Sequence, residues 1–293
     1  MPPELLTDTP TVTALRAGQE VDLVLACTRK ERLMARSGSP YLALELRDRT
    51  GAITARAFRD ADLLAGRFER GELVRVRGRV ERFRDELQLE VGAIDRAVDA
   101  DPAAFLPVAY RDLDELDGFL EHLGREVHDR DLRALLDALL ADDAVRAQWR
   151  RAPCTRAGHH AYLGGLLEHT VAVGQLAVET CALHPRLNSD LLIAAALVHD
   201  LGKTREFVYG AEVGLSDEGR LLGHVAMGVQ LVDQRAAAAG VPADKRLALA
   251  HCVLTHHGPE AAPGRRFGSA EAVALYRLNA LDAAVKGVLE HGL

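Results

Sequence analysis

The chain has 293 residues, 48% of them apolar and 27% charged, with a formal net charge of −7. That length suits two domains better than one core, and no uncharged apolar run is long enough for a helical membrane span. The net negative charge argues against a protein that coats nucleic acid, yet it hides a division. Between Val21 and Arg96 there are 16 basic and 13 acidic residues, so this stretch carries +3 and the remainder −10. The four cysteines, Cys27, Cys154, Cys181 and Cys252, form no CxxC pair. The start, Met1-Pro2-Pro3-Glu4, lacks a basic and apolar leader. Both features point to free thiols and a cytoplasmic protein.

Residues 1–18 begin Thr/Pro-rich and read as an arm. From Val21 the apolar residues alternate. Strands are expected at Val21–Ala26, Tyr41–Leu46 and Ala52–Phe58, with a turn at Asp48–Gly51 before the third. Residues 59–70 look helical. Leu73–Val80 alternates with period two, Arg84-Asp85-Glu86 makes a hairpin turn, and Leu87–Val91 returns. Three strands, a short helix and a hairpin match a five-strand barrel of the OB type over residues 19–96, with another small all-β barrel as the alternative. The outward faces of the last two strands carry Arg75, Arg77, Arg79 and Arg82, with Phe83 at the turn. Arginines that hold phosphates and rings that stack bases suit a single-strand groove, and Tyr41 and Phe58 are the further rings assigned to it. Arginine on an exposed strand is also merely soluble, so this pattern alone is weak.

Residues 97–111 read as a linker. Beyond it the period becomes helical, beginning with Leu113, Leu116, Leu120 and Leu123. Further helices are expected at about 130–151, 161–183, 189–202, 220–239, 243–257 and 270–291. No strand pattern returns, so 112–293 reads as an all-α domain.

This helical half carries the chemistry. Nine of the 12 histidines lie between His159 and His257, and histidine is a poor generic core or surface residue. His199-Asp200 follows Leu191–Val198, a run that is apolar all round and therefore buried. A metal would satisfy both side chains there: the carboxylate can bridge two cations while the imidazole binds one. Gly202 can end the helix. Lys203 then offers a compact charge to whatever the metals hold; it is one of only four lysines among 36 basic residues. A plain helix end with C-terminal positive charge is the competing reading of this motif. His169, His224, the His256-His257 pair and Asp282 lie on four separate apolar helices, with His251 upstream of that pair. A single such histidine is more often a satisfied core residue, but a set on successive helices points to a metal site.

The order His169, His199-Asp200, Asp282 resembles the HD superfamily of metal-dependent phosphohydrolases, and His224 with His256-His257 resembles its two-metal members. The stretches HHAYLGGLLEHT (159–170), AALVHDLGK (195–203), LLGHVAMG (221–228) and LTHHG (254–258), behind an OB-like barrel, resemble the YhaM-type 3′-to-5′ exoribonucleases over about residues 20–290. The resemblance implies two divalent cations per chain, manganese above all, with iron, cobalt, nickel and zinc compatible with the donors. One cation would take His169, His199, Asp200 and Asp282; the other would take Asp200, His224 and His256, with His257 as its substitute or neighbour. Asp200 and Lys203 would be catalytic. His159, His160, His251 and Asn279 are assigned to the substrate side or to the shell behind the ligands. The chain departs from the family pattern at Tyr276, Asn279 and Ala284, where His, Asp and Lys are usual.

The expected activity is 3′-to-5′ hydrolysis of single-stranded RNA, with single-stranded DNA as a further substrate, giving nucleoside 5′-monophosphates. A homo-oligomer is compatible with the sequence, and no membrane partner is expected. The alternatives are a phosphohydrolase of nucleotides or cyclic dinucleotides, and a nucleic-acid-binding protein with an inactive metal site. The basic β-module favours a polymer substrate, and the complete set of candidate ligands argues against inactivity.

Overall fold

The computed structural model of the protein describes residues 10–35 and 38–292. They form two compact units, 10–106 together with 209–214, and 107–208 together with 215–292. Of the expected arm, residues 1–9 lie outside the described residues, whereas Val12 and Leu15 are buried in the core of the first unit. The backbone N–H of Val12 donates to the Asp48 carboxylate at 2.8 Å.

The first unit is a closed five-strand barrel in the order β1-β2-β3-β5-β4. Its strands are β1 (Glu20–Met34), β2 (Pro40–Asp48), β3 (Gly51–Ala57), β4 (Leu73–Phe83) and β5 (Glu86–Arg96), with α1 (Ala61–Ala65) between β3 and β4. This is the OB architecture expected from the alternation. β1 is long because it serves two neighbours: its first half pairs with β4 and its second with β2, with a register shift between Cys27 and Arg29. Closure comes from the parallel pairing of β3 with β5. The inward residues are the alternating apolar ones, among them Leu23, Leu25, Leu42, Leu44, Leu46, Val74, Val76, Val80, Leu89 and Ile94, all buried. Burying each such side chain contributes roughly 1.5–3 kcal/mol. Arg84 and Asp85 both take positive φ, as a two-residue hairpin whose twist matches its strands requires. The helix expected over 59–70 is only five residues long, because the chain turns after Gly66 to bury Phe68 in the barrel.

The second unit is built of helices: α2 (Leu113–Arg125), α3 (Arg130–Leu140), α4 (Asp143–Arg151), α5 (Gly165–Leu183), α6 (Ser189–Val198), α7 (Lys203–Glu206), α8 (Asp217–Leu221), α9 (Gly223–Ala238), α10 (Ala243–Thr255) and α11 (Ala270–His291). Asp112, Asp129 and Asp142 cap α2, α3 and α4, each accepting two backbone N–H bonds from the first turn. The cap at Asp142 splits the single helix expected over 130–151. Every residue of α6 from Leu191 to Val198 is buried, as its unbroken apolar run requires. One short strand pair, β6 (Phe207–Tyr209) and β7 (Val213–Leu215), interrupts the helices where residues 209–214 belong to the first unit; the domain is otherwise helical, as expected. Three-residue strands are too short to show a period. The main core joins α2, α3, α5, α6, α9, α10 and α11 through residues such as Leu120, Leu135, Val171, Leu192, Val232, Leu249 and Leu275.

In the barrel, a Cβ built on Gly78 would lie 2.1 Å from the Glu90 carbonyl oxygen, beside a register shift between Arg77 and Gly78. Backbone cannot yield as a side chain can. Gly78→Ala should therefore destabilise the protein by about 1–3 kcal/mol, measured by urea unfolding; an unchanged midpoint would show that β4 and β5 can part there without cost.

Candidate metal centre

Four histidines from four helices meet at Asp200. His169 lies within α5, His199 at the C-terminus of α6, His224 in the first turn of α9, and His256 at the C-terminus of α10. In each, Nδ1 is held by a group that can only accept. His199 Nδ1 donates to the Ala196 carbonyl at 2.8 Å, and His256 Nδ1 to the Val253 carbonyl at 2.6 Å. His224 Nδ1 faces the Glu206 carboxylate at 3.1 Å, and His169 Nδ1 the Asp282 carboxylate at 2.6 Å. A neutral imidazole has one N–H, so each Nε2 carries a lone pair. All four point at one carboxylate. His169 and His199 Nε2 lie 3.6 and 3.4 Å from Asp200 Oδ2. His224 and His256 Nε2 lie 3.5 and 3.3 Å from Oδ1.

Lone pairs aimed at a carboxylate repel it unless a cation lies among them. Asp200 Oδ1 and His256 Nε2 are buried and have no hydrogen-bond partner, a costly state for polar atoms inside a protein. His169 and His199 Nε2 are 3.2 Å apart. Separations of 3.2 to 3.6 Å among His169, His199 and Asp200 match donors that share one cation at about 2.0–2.2 Å. His257 stands beside the other group, its Nε2 2.9 Å from that of His224; Asp200, His224, His256 and His257 cluster closely enough to hold an ion. The residues present therefore fit a divalent cation.

The electrostatics agree. Burial opposes ionisation of Asp200, but the Lys203 ammonium and His199 outweigh it and hold the carboxyl well below the usual range. Burial pushes His169 down to about 4 against the pull of Asp282, and lowers His256 against the pull of Asp200. His169 and His256 are thus neutral and free to ligate near neutral pH.

Several expected roles change. Lys203 is buried and does not reach outward: its ammonium donates to Asp200 Oδ2 at 2.7 Å and to Cys154 Sγ at 3.3 Å. Gly202 does not end a helix in a left-handed turn; α6 stops at Val198, and Gly202 has ordinary φ of −60°. Its role is closeness, because a Cβ there would lie 2.1 Å from the His224 carbonyl oxygen. Asp282 does not join Asp200. It lies on the far side of the His169 ring, where its Oδ2 also meets His160 Nε2 at 3.0 Å. His160 Nδ1 is 3.0 Å from the Tyr162 hydroxyl, which donates to Glu168, itself paired with Lys286. His159 is near, its ring 5.3 Å from that of His169. Asn279 comes closer to the centre than expected, with Oδ1 3.0 Å from His169 Nε2. His251 is elsewhere: its Nε2 accepts the Gly268 N–H. Sequence reasoning missed Glu206, Cys154, Tyr162 and Glu168, and nothing in their local spacing marks them.

On the barrel, the expected nucleic-acid residues fall into two groups. Tyr41 and Phe58 pack with ring centroids 5.5 Å apart, and Arg56 joins them to Phe83, its guanidinium 5.7 Å from the Tyr41 ring and 5.4 Å from the Phe83 ring. Phe58 and Phe83 are each about half exposed, at 49% and 48%. Arg56 was not expected. Arg75, paired with Asp22 at 2.7 Å, and Arg77 instead line a separate groove of about 860 Å³ with Arg96 and Asp95. Arg79 and Arg82 are simply exposed.

Residues 166–284 match the family model described as an HD domain, and residues 24–96 that described as an OB-fold nucleic acid binding domain. The closed barrel is thus followed by a helical domain of the HD type. Over most of its length it is similar to the 3′-5′ exoribonuclease YhaM of Shouchella clausii, 29% identical over 250 residues, which are 83% of this chain and 76% of that one. It is also similar to the YhaM of Listeria welshimeri, 26% identical over 286 residues, 94% of this chain and 89% of that one. A solved structure, the HD domain of the L. monocytogenes phosphodiesterase PgpH, is 21% identical and covers 49% of this chain and 74% of its own, with a TM-score of 0.30.

The depressed histidines make a pH prediction. Imidazoles of the unfolded chain take up protons near pH 6.5, whereas His169 in the fold resists until about 4. Chelator-treated protein should therefore lose stability as the pH falls from about 6.5 towards 4. Urea midpoints at neutral pH and in this acid range check it; equal midpoints would mean that these imidazoles charge without cost.

Proposed function

We propose that the protein is a 3′-to-5′ exonuclease that hydrolyses single-stranded RNA to nucleoside 5′-monophosphates at two divalent cations bridged by Asp200. The observation that carries this reading is the pairing of four imidazole lone pairs with one carboxylate, two at each oxygen. One position has His169, His199 and Asp200 Oδ2; the other has Asp200 Oδ1, His224 and His256, with His257 beside them. Imidazole and carboxylate donors suit manganese, iron, cobalt, nickel or zinc, and the YhaM resemblance favours manganese.

When bound, such cations neutralise the non-bridging oxygens of a phosphodiester and make a water nucleophilic near neutral pH. This chain's residues do the rest. Asp200 spans both positions, and Glu206 keeps the His224 Nε2 lone pair turned inward through the bond at Nδ1. Lys203 adds a fixed positive charge against the charge that grows on the reacting phosphate. Water attacks the last phosphorus in line, its oxygen bonds to phosphorus, and the bond to the upstream 3′-oxygen breaks. The water's proton ends on that oxygen. The products are a nucleoside 5′-monophosphate and a chain shorter by one nucleotide with a new 3′-hydroxyl. The barrel supports a polymer substrate: half-exposed rings bridged by an arginine suit bases of any sequence, and a tethered binding module raises the local concentration of chain ends.

The test is a digest of 5′-labelled single-stranded RNA, the matching DNA, a mononucleotide and a cyclic dinucleotide, each with manganese-loaded protein. A descending ladder on RNA is expected, and Asp200→Ala should abolish it. Turnover of the small substrates alone would replace this reading with a nucleotide phosphohydrolase, and binding of RNA without turnover would leave a binding protein. Separately, replacing Phe83 and Arg56 by alanine should weaken binding of a long RNA about 5- to 150-fold, from about 1–3 kcal/mol per stacked base. Hydrolysis of a short diester should be spared; equal losses on both substrates would count against a distinct binding surface.

A further inference from the structure

Building on the two-cation reading, we propose that the cation beside Asp200 Oδ2 takes its fourth protein donor from the carboxamide oxygen of Asn279, and that Asp282 acts on this cation only through His169.

The amide orientation of Asn279 follows from its neighbours. Its Nδ2 donates to the His256 carbonyl oxygen at 3.1 Å, and a carbonyl can only accept, so the atom 3.0 Å from His169 Nε2 is the amide oxygen. Asn279 is buried, at 5% exposure. His169 has its N–H at Nδ1, where the Asp282 carboxylate accepts it at 2.6 Å. Its Nε2 lone pair therefore confronts the Asn279 oxygen, the His199 Nε2 lone pair at 3.2 Å and Asp200 Oδ2 at 3.6 Å. The opposite tautomer would turn the Nδ1 lone pair onto a carboxylate at 2.6 Å, a worse conflict. His169 Nε2 thus meets the acceptors of His199 and Asn279 with no proton between them, beside Asp200 Oδ2, which accepts a hydrogen bond from Lys203; in the other half of the centre His256 Nε2 and Asp200 Oδ1 meet with no partner. A cation resolves both.

Asp282 has another task and is held to it. Its Oδ2 is shared by His169 Nδ1 and His160 Nε2. His160 is pinned in turn through Tyr162 and Glu168 to Lys286. This makes Asp282 a positioning residue that fixes the ring and tautomer of His169, as carboxylates behind metal-bound histidines do.

The consequence is chemical. A carboxamide ligates without charge, so Asp200 is the sole anionic donor of that position. Ligand charge is a main control on how tightly a site holds a hard cation. The protein thus carries one position tuned to bind more weakly than a carboxylate would make it.

The experiment is manganese binding to the full chain, followed by the paramagnetic resonance of free Mn(II) and by bound metal after desalting, with thermal melting as a separate check of folding. Asn279→Asp should tighten the weaker class of sites by about tenfold or more with the same number bound. Asn279→Leu should lose one equivalent of cation. Asp282→Asn should keep both positions, with about 10- to 100-fold weaker binding at one. Unchanged affinity in Asn279→Asp with an unchanged number bound in Asn279→Leu would overturn the proposal while leaving the two-cation reading intact. So would loss of one equivalent in Asp282→Asn alone. No manganese bound by the unaltered protein would overturn both.

Discussion

The helical domain is organised around one unfavourable encounter, four imidazole lone pairs and one buried carboxylate brought within 3.6 Å. Left alone, such a cluster costs stability, since each buried polar atom without a partner forfeits about 1–3 kcal/mol. The fold nonetheless enforces it at every level. His199 and His256 sit at the C-termini of α6 and α10, where the last carbonyls have no partner within the helix. Each histidine uses its Nδ1–H to satisfy the carbonyl three residues before it. One bond thereby closes a helix end and fixes a tautomer. The fold then buries His169, His199, His256 and Asp200, at 0–1% exposure, so their lone pairs have no access to solvent that would relieve them.

The same constraint explains two contacts that otherwise look incidental. α9 approaches the His199-Asp200 turn so closely that only glycine fits at 202, with its missing Cβ standing against the His224 carbonyl. That approach carries His224 to Asp200. The carboxylate of Glu206 then accepts both the backbone N–H and Nδ1 of His224, which sets the ring. Gly202 and Glu206 belong to the segment just after the His-Asp pair, so one short stretch supplies the central carboxylate, the space for the next helix and the orienting group for its histidine.

These dependencies mark how far the sequence could be read. Alternation in β1 to β5 is a local property of the chain, so the barrel was legible, and so was the core of helices from its longer period. The gathering of His169, His199, Asp200, His224 and His256 was legible as a set because each is a polar residue in an apolar helix. Which nitrogen each presents was not. Tautomers depend on partners such as Asp282, 113 positions from His169, and no local pattern records that distance. Asn279 and Asp282 lie less than one turn apart on α11, so periodicity lets either face the centre, and the carboxylate was the natural choice. The fold selects the amide. On the barrel, Arg56 was overlooked because a strand arginine looks solvated until Tyr41 and Phe83 are seen on either side of it.

Charge links the centre to the kind of molecule it would serve. Among the groups that meet at the centre, Asp200 is the carboxylate and Lys203 the ammonium bound to it; the proposed remaining donors, imidazoles and an amide, would ligate without negative charge. Asp282 and Glu206 stand one residue further out, each engaged with a histidine. A pair of divalent cations held by such a set would keep most of its positive charge, because the nearest anionic ligand is already offset by lysine. That excess is unfavourable in a buried pocket unless a multiply anionic partner arrives to share it. A phosphodiester chain end is such a partner, and its charge grows further as the attacking water adds to phosphorus. Uncharged donors around a proposed pair of cations would thus favour the reacting state over the resting one, which is the differential that catalysis needs.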